Sequence, residues 1–355
     1  MPRRARRYYI IRGRLYELAV EELVKKAGFE TDKSKLRASG ITQISERTQS
    51  IHGRGGTYKA DVVGLFTLPI PFTYPILLLG EVKYHNAKVA IKEAREFLGI
   101  HTDVSQYPRI NTKSRNLKYA EMFNEARYNY APVMFSANGF HRNPQALFYT
   151  HGIYFISYEN SPLFADVRKR LDALLKQIET SEVKDEDMSM LYHAHSLSAL
   201  SNLRSEAKRT KFQEKYNKLI EVTNGLRSYI GLLDNSVIVH VLSNKRLRRP
   251  TPKVRESYSR LLEGNYIELR NTANPRSWIL GGFSMPSQFL ERYVKHATKH
   301  QKPCFSELVI YTQIDGRLYP VYFKLSDDGR SKIIEQVQAH SQANAPAPAP
   351  TQATS

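Results

Sequence analysis

Apolar and polar positions along this chain change period several times, and each change predicts an element. From Leu15 to Ala27, Leu15, Leu18, Ala19, Glu22, Leu23 and Lys26 recur at helical spacing, so an amphipathic helix is expected, stopped by Gly28. TYKADVVGLFTL (57–68) alternates loosely and is rich in Val, Thr and aromatics, which predicts a strand. Pro69 and Pro71 punctuate it, and an apolar run over 75–83 predicts a second strand. AIKEAREFLGI (90–100) predicts a helix. APVMFSANGF and HGIYFISY predict strands on either side of a helix over 143–149, a β-α-β unit closed by a long amphipathic helix over 163–178.

The charged stretch ETSEVKDEDMS (179–189) reads as a domain boundary. Beyond it, 190–222 is expected to be mainly helical. NSVIVHVL, RSWILGGF and FSELVIYTQIDGRLYPVYFKL follow as strands, the last holding an Asp315-Gly316 hairpin turn. Gly281-Gly282 is expected to bend its strand. The expected organisation is a basic arm over 1–14, an α/β domain over 15–178, an α+β domain over 190–340 and a disordered tail over 341–355.

Charge narrows the partners. The 355 residues hold 53 Lys and Arg against 34 Asp and Glu, a formal net charge of +19, which favours phosphate polymers or an anionic surface. No apolar run reaches the length of a membrane span, and the start MPRRARRYYIIRGR lacks the apolar region of a secretory signal. A single cysteine, Cys304, excludes an internal disulfide and a cysteine zinc cage. An intracellular, cytoplasmic and nucleoid-associated protein is expected.

The candidate chemistry sits at the end of ILLLGEVKYHN (76–86). Residues two apart on a strand share a face, so Glu81 and Lys83 point the same way and Val82 the other. Asp61 lies in apolar company on the preceding strand, and a hairpin would bring it alongside Glu81. Two close carboxylates repel unless they share a proton or a cation. An oxygen-rich set without histidine suits Mg2+, or Mn2+ in its place, with Lys83 stabilising an attacking water or charge on phosphorus. The same residues also read as a plain Asp61–Lys83 cross-strand ion pair beside a solvated Glu81.

In order along the chain, RGRLYELAVEELVKKAGFE (12–30), IHGRGGTYKADVVGL (51–65), GEVKYHNAKVAIKEAREFLGI (80–100) and VMFSANGFHRNPQALFYTHGIYFISY (133–158) resemble the PD-(D/E)xK nuclease superfamily, and within it the Mrr-like restriction endonucleases. The resemblance covers residues 10–178. It implies a restriction-endonuclease-like core, a mixed central sheet flanked by helices, and a metal-dependent endodeoxyribonuclease of restriction or defence type. It further implies that Asp61 and Glu81 bind the divalent metal and that the Val82 carbonyl adds a ligand. Glu17 would complete the acidic shell, and Lys83 would act on the attacking water. The chain departs from the family pattern in three places. The catalytic pattern starts at the N-terminus of the sequence, where members commonly carry a winged-helix module first; Glu81 stands where many members have glutamine, and Ala60 replaces the proline before the aspartate.

DNA is the expected partner. Arg54 in the Gly53–Gly56 turn, Lys113 and Arg115 among tyrosines, and the run Lys245, Arg246, Arg248 and Arg249 are candidate backbone contacts, or solvated loops. The second half is expected to select DNA or to form a homodimer. Two other functions stay open: a repair or recombination nuclease acting on branched DNA, and a nucleic-acid-binding protein whose acids are structural.

Overall fold

The computed structural model describes residues 3–39, 41, 50–66, 73–106, 128–180, 209–233, 237–245, 255–261, 265–271, 279–300, 307–314, 317–325, 331, 333–335 and 337–339. The chain is α/β, with a large, curled, mixed sheet flanked by helices. The tail over 341–355 lies outside the described residues.

Helix α1 (Arg3–Lys26) begins twelve positions before the expected start at Leu15, so the described part of the basic arm, residues 3–14, is helical. The reason is packing: Ile11 and Arg14 are buried along with Leu15, Leu18 and Leu23, which continues the apolar stripe into the arginine-rich segment. At the other end Gly28 takes a positive φ of 100°, and its amide donates to the Lys25 carbonyl. A short strand β1 (Phe29–Glu30) leads to helix α2 (Lys33–Ala38), whose N-cap Asp32 accepts from the amides of Ser34 and Lys35.

The strand expected over 57–68 is interrupted. Strand β3 (Thr57–Lys59) pairs with β2 (Ser50–His52) in a two-stranded ribbon of its own, and β4 (Val62–Phe66) belongs to the large sheet. Ala60 and Asp61 form the break. β4 runs antiparallel to β5 (Ile76–Lys83), with Val62 opposite Gly80 and Leu65 opposite Leu77. Next come α3 (Ile91–Ser105), β6 (Asn129–Ser136), α4 (Arg142–Thr150), β7 (Tyr154–Ser157) and α5 (Pro162–Thr180). β5, β6 and β7 are parallel, as a β-α-β unit requires.

Both faces of this part of the sheet are buried. Val62, Leu78, Val82, Val133, Phe135 and Ile156 point to a layer formed by α1, α5 and helix α6 (Arg209–Gly225). Val63, Leu77, Leu79 and Met134 point to a second layer holding Leu36 of α2, Ala94 and Phe97 of α3 and Phe148 of α4. Each aliphatic side chain removed from water in this way contributes roughly 1.5–3 kcal/mol.

The second half continues the same sheet. Strands β8 (Arg227–Leu233), β9 (Ile238–Ser243), β10 (Arg255–Leu261), β11 (Tyr266–Asn271), β12 (Ile279–Ser284), β13 (Glu307–Ile314) and β14 (Arg317–Leu325) follow in the order β12-β11-β10-β14-β13-β8-β9. Gly282 of β12 then pairs with Leu242 of β9, so these strands close on themselves. β12 also meets β7 through Ser284 and Ser157, which joins the two halves. Helix α7 (Ser287–His300) places Leu290 and Val294 in the core of this half, with Ile267, Phe283, Leu308 and Phe323. β13 and β14 form the expected hairpin, Ile314 facing Arg317. The register shifts opposite Leu269 and Arg270, where β12 contributes an extra residue, and Gly281 sits at that bulge with a φ of 151°.

Candidate active site

Asp61 directly precedes Val62, whose partner on β5 is Gly80, and it is close enough to Glu81 for the two charges to interact. Asp61 has left the ladder, and its Oδ2 accepts the Val82 amide at 2.9 Å. Two positions on from Glu81, the Lys83 ammonium donates to Glu81 Oε1 at 2.6 Å. The alternative pairing, Asp61 with Lys83 and Glu81 in solvent, is therefore not the one adopted. Glu81 and Lys83 are both largely buried, their side chains 17% and 22% exposed.

Glu17 arrives from the opposite layer, on α1. Its Oε2 meets the Arg14 guanidinium at 2.8 Å, and its Oε1 lies 3.4 Å from the Lys59 ammonium. Lys59 also reaches to 3.9 Å from Asp61 Oδ1, so one ammonium spans the gap between the helical acid and the strand acid. The structure thus gathers Glu17, Asp61, Glu81, Val82 and Lys83 at one end of the β4–β5 pair.

The electrostatics follow from burial and crowding. Burial, then the charges of Glu81 and Glu17, push the Asp61 carboxyl well above its ordinary range, against the Val82 amide and Lys59. Burial pulls the Lys83 ammonium down, but Glu81 outweighs it and the net shift is upward, so Lys83 is held as a cation. Lys33, at the start of α2, is pulled down to about 8, first by burial. Glu21 and Glu17 oppose that shift; Arg14 and Lys59 add to it.

Among the described residues, no group of three or more His, Cys, Asp and Glu side chains is close enough to hold a metal ion by itself. A hard cation that keeps several waters needs only one or two carboxylates. The neighbouring Asp61 and Glu81 offer that, and Asp61, crowded by two other acids, is a position that added positive charge would relieve. The donor set fits a divalent ion of the magnesium type.

The glycine turn holds an anion already. Gly53 N–H donates to Gly56 O at 2.7 Å, and both carboxylate oxygens of Asp103, on α3, accept from the Gly55 amide at 2.9 Å. Arg54 is exposed on this turn, its own amide bonded to Asp103 O at 3.0 Å. Lys245 follows β9 in a tight turn in which its amide donates to Ser243 Oγ and its carbonyl accepts from the same hydroxyl, each at 3.0 Å. Lys113, Arg115, Arg246, Arg248 and Arg249 lie outside the described residues.

Three residues of the site escaped the sequence reading: Arg14, assigned to the arm; Lys59; and Lys33. Lys59 carried a signal, since it stands two positions before Asp61 on a predicted strand and so on its face. Arg14 carried one too, three positions before Glu17 and so on its face of a helix; Lys33 carried none, because tertiary packing decides its place. Just after Lys83, Tyr84 donates to Asp172 Oδ1 at 2.8 Å and His85 lies 3.1 Å from Glu93, so both are tied into the scaffold. The large apolar cavity of about 440 Å³ lies elsewhere, between Leu78, Val133 and Ile156 on one side and Ile230, Leu232 and Ile238 on the other.

No family model matches this chain, and no curated protein matches it. Among solved structures it is similar to the protein of unknown function AF1548, at 14% identity and a TM-score of 0.31, covering 61% of this chain and 98% of that one. No helix among the described residues is long and apolar enough to cross a membrane.

Proposed function

We propose that the chain is a magnesium-dependent endodeoxyribonuclease that hydrolyses DNA phosphodiester bonds, of restriction or defence type, on a restriction-endonuclease-like core. The observation that carries this reading is the seating of the Asp61 carboxylate on the Val82 amide, between Glu81 and Lys83, which are bonded to each other.

In this reading Asp61 and Glu81 hold the ion, the Val82 carbonyl adds a ligand, and Glu17 completes the shell directly or through water. Magnesium or manganese, once bound, supplies an acidified water and neutralises charge on the phosphate. Lys83, held as a cation, donates hydrogen bonds to the attacking water and to the oxygens that gain charge on phosphorus. Arg14 fixes the Glu17 carboxylate from a buried position, so the helical acid is oriented before substrate arrives. The net charge of +19 supplies the long-range attraction for a polyanion. A double-strand cut would require two such sites, hence a homodimer. Arg54 and the basic run beginning at Lys245 would contact the DNA backbone.

The test is cleavage of supercoiled plasmid with magnesium by the wild type, Asp61→Ala and Lys83→Ala. Loss of nicking in both variants supports the assignment; equal nicking by all three proteins removes it. A second reading, a nucleic-acid-binding protein on the same scaffold, is favoured by one observation: each of the three acids already faces a protein cation. Retained DNA binding with no cleavage by any of the three would select it.

A further inference from the structure

We propose that Lys59 is the built-in counter-ion of the acid cluster, its ammonium filling the cation position between Glu17 and Asp61 until a divalent ion displaces it. This rests on the reading of Asp61 and Glu81 as metal ligands and adds to that site an element controlling its occupancy.

Three cations face the three acids, and they are held very differently. Arg14 meets Glu17 Oε2 at 2.8 Å with its side chain only 4% exposed. Lys83 meets Glu81 at 2.6 Å with 22% exposed. Lys59 is 52% exposed, and its contacts are the longest, 3.4 Å to Glu17 and 3.9 Å to Asp61. An exposed pair at such distances contributes little, so Lys59 is the cation most easily displaced.

The backbone that carries it is also separate. β3 pairs with β2 in a two-stranded ribbon outside the large sheet, so the side chain can swing to solvent without breaking a bond of β4 or β5. A divalent ion brought to these carboxylates repels the ammoniums already on them, and the one held at the longest distances and with the most exposure gives way first. Binding of the ion therefore expels Lys59. Once expelled, Lys59 stands at the rim of the site, where an approaching phosphate would meet it.

The experiment is a titration of the full chain with Mn2+, read by isothermal calorimetry and by the signal of free manganese. Wild type, Lys59→Met, Lys59→Arg and Asp61→Ala are compared, and melting is recorded with and without the ion. Because Lys59 is half-exposed, Lys59→Met keeps the packing of its stem. Lys59→Met is expected to bind Mn2+ up to about fivefold more tightly, the removal of a competitor worth up to roughly 1 kcal/mol. It should also melt lower than wild type without the ion and regain the difference with it, while Lys59→Arg stays close to wild type. If Lys59→Met binds no more tightly while Asp61→Ala loses binding, the counter-ion role is overturned and the metal site stands. If Asp61→Ala binds as wild type does, or none of the proteins binds, the metal reading falls and takes this proposal with it.

Discussion

The Tyr158 hydroxyl and His240 Nδ1 lie 2.8 Å apart and bridge the two halves of the chain. Ser228 Oγ occupies the other ring nitrogen, and all three groups are buried. Burial holds the His240 imidazole down to about 4, against an ordinary value near 6.5.

That depression sets a pH dependence. Between about 6.5 and about 4 the unfolded chain takes up a proton at this histidine and the folded chain does not, so stability falls on acidification through this window. Full stability from this group is present above pH 6.5. The loss is bounded at roughly 3 kcal/mol by the size of the shift. Denaturant melts of wild type and His240→Gln at pH 7.5 and 4.5 check it. The variant should be less stable at the higher pH and show a smaller drop between the two.

Asp61 gives the opposite sign. Its folded value is raised, so the folded state binds more protons than the unfolded one as pH climbs past the ordinary aspartate range. The metal-free protein loses stability there. Asp61→Asn keeps an acceptor for the Val82 amide and removes the crowding charge. Without divalent ion at pH 7.5 it should melt about 2 °C or more above wild type, while losing nicking activity by about a hundredfold or more. A melt at or below that of wild type would contradict the crowding.

Glu81→Gln should behave differently from Asp61→Asn. An amide oxygen remains a neutral donor to a divalent ion, and in the resemblance drawn from the sequence glutamine is common at this position. Measurable nicking is expected, reduced by roughly ten- to a hundredfold. It should be accompanied by a lower ammonium pKa at Lys83, read by NMR, because Glu81 is what raises it.

Closure of the second half depends on Gly281 and Gly282. A Cβ at Gly281 would run into the Leu242 carbonyl and one at Gly282 into the Tyr266 hydroxyl, with Ile267 O at 2.6 Å. Gly282→Val is predicted to destabilise the chain by about 2–3 kcal/mol through that clash. In hydrogen exchange, protection should be lost first along β9 and β12, with β4 and β5 less affected.

Legibility followed the range of the interactions. The helix ending at Gly28, the β4–β5 pair, the β-α-β unit and the β13–β14 hairpin were all readable, since each is written in local periodicity and turn residues. β8, β10 and β11 were not. RESYSRL carries little apolar alternation, and it becomes a strand through pairing with β11 on one side and β14 on the other. The start of α1 was misplaced for a related reason: arginines masked a stripe whose burial comes from the layer it packs on.

For the candidate site, the chain by itself determined that Glu81 and Lys83 share a face, because the strand period of two leaves no other choice; that Asp61 comes next to them depended on how β4 pairs with β5. Only the tertiary structure decided that one cation spans Glu17 and Asp61. Lys83 turned to Glu81, Lys59 came in from a separate ribbon, and Arg14 locked Glu17 from a helix in the opposite layer. The two local pairs, Arg14 with Glu17 on one helix and Lys83 with Glu81 on one strand, follow helix and strand spacing, whereas the reach of Lys59 to Glu17 and Asp61 joins separate elements that no local pattern brings together.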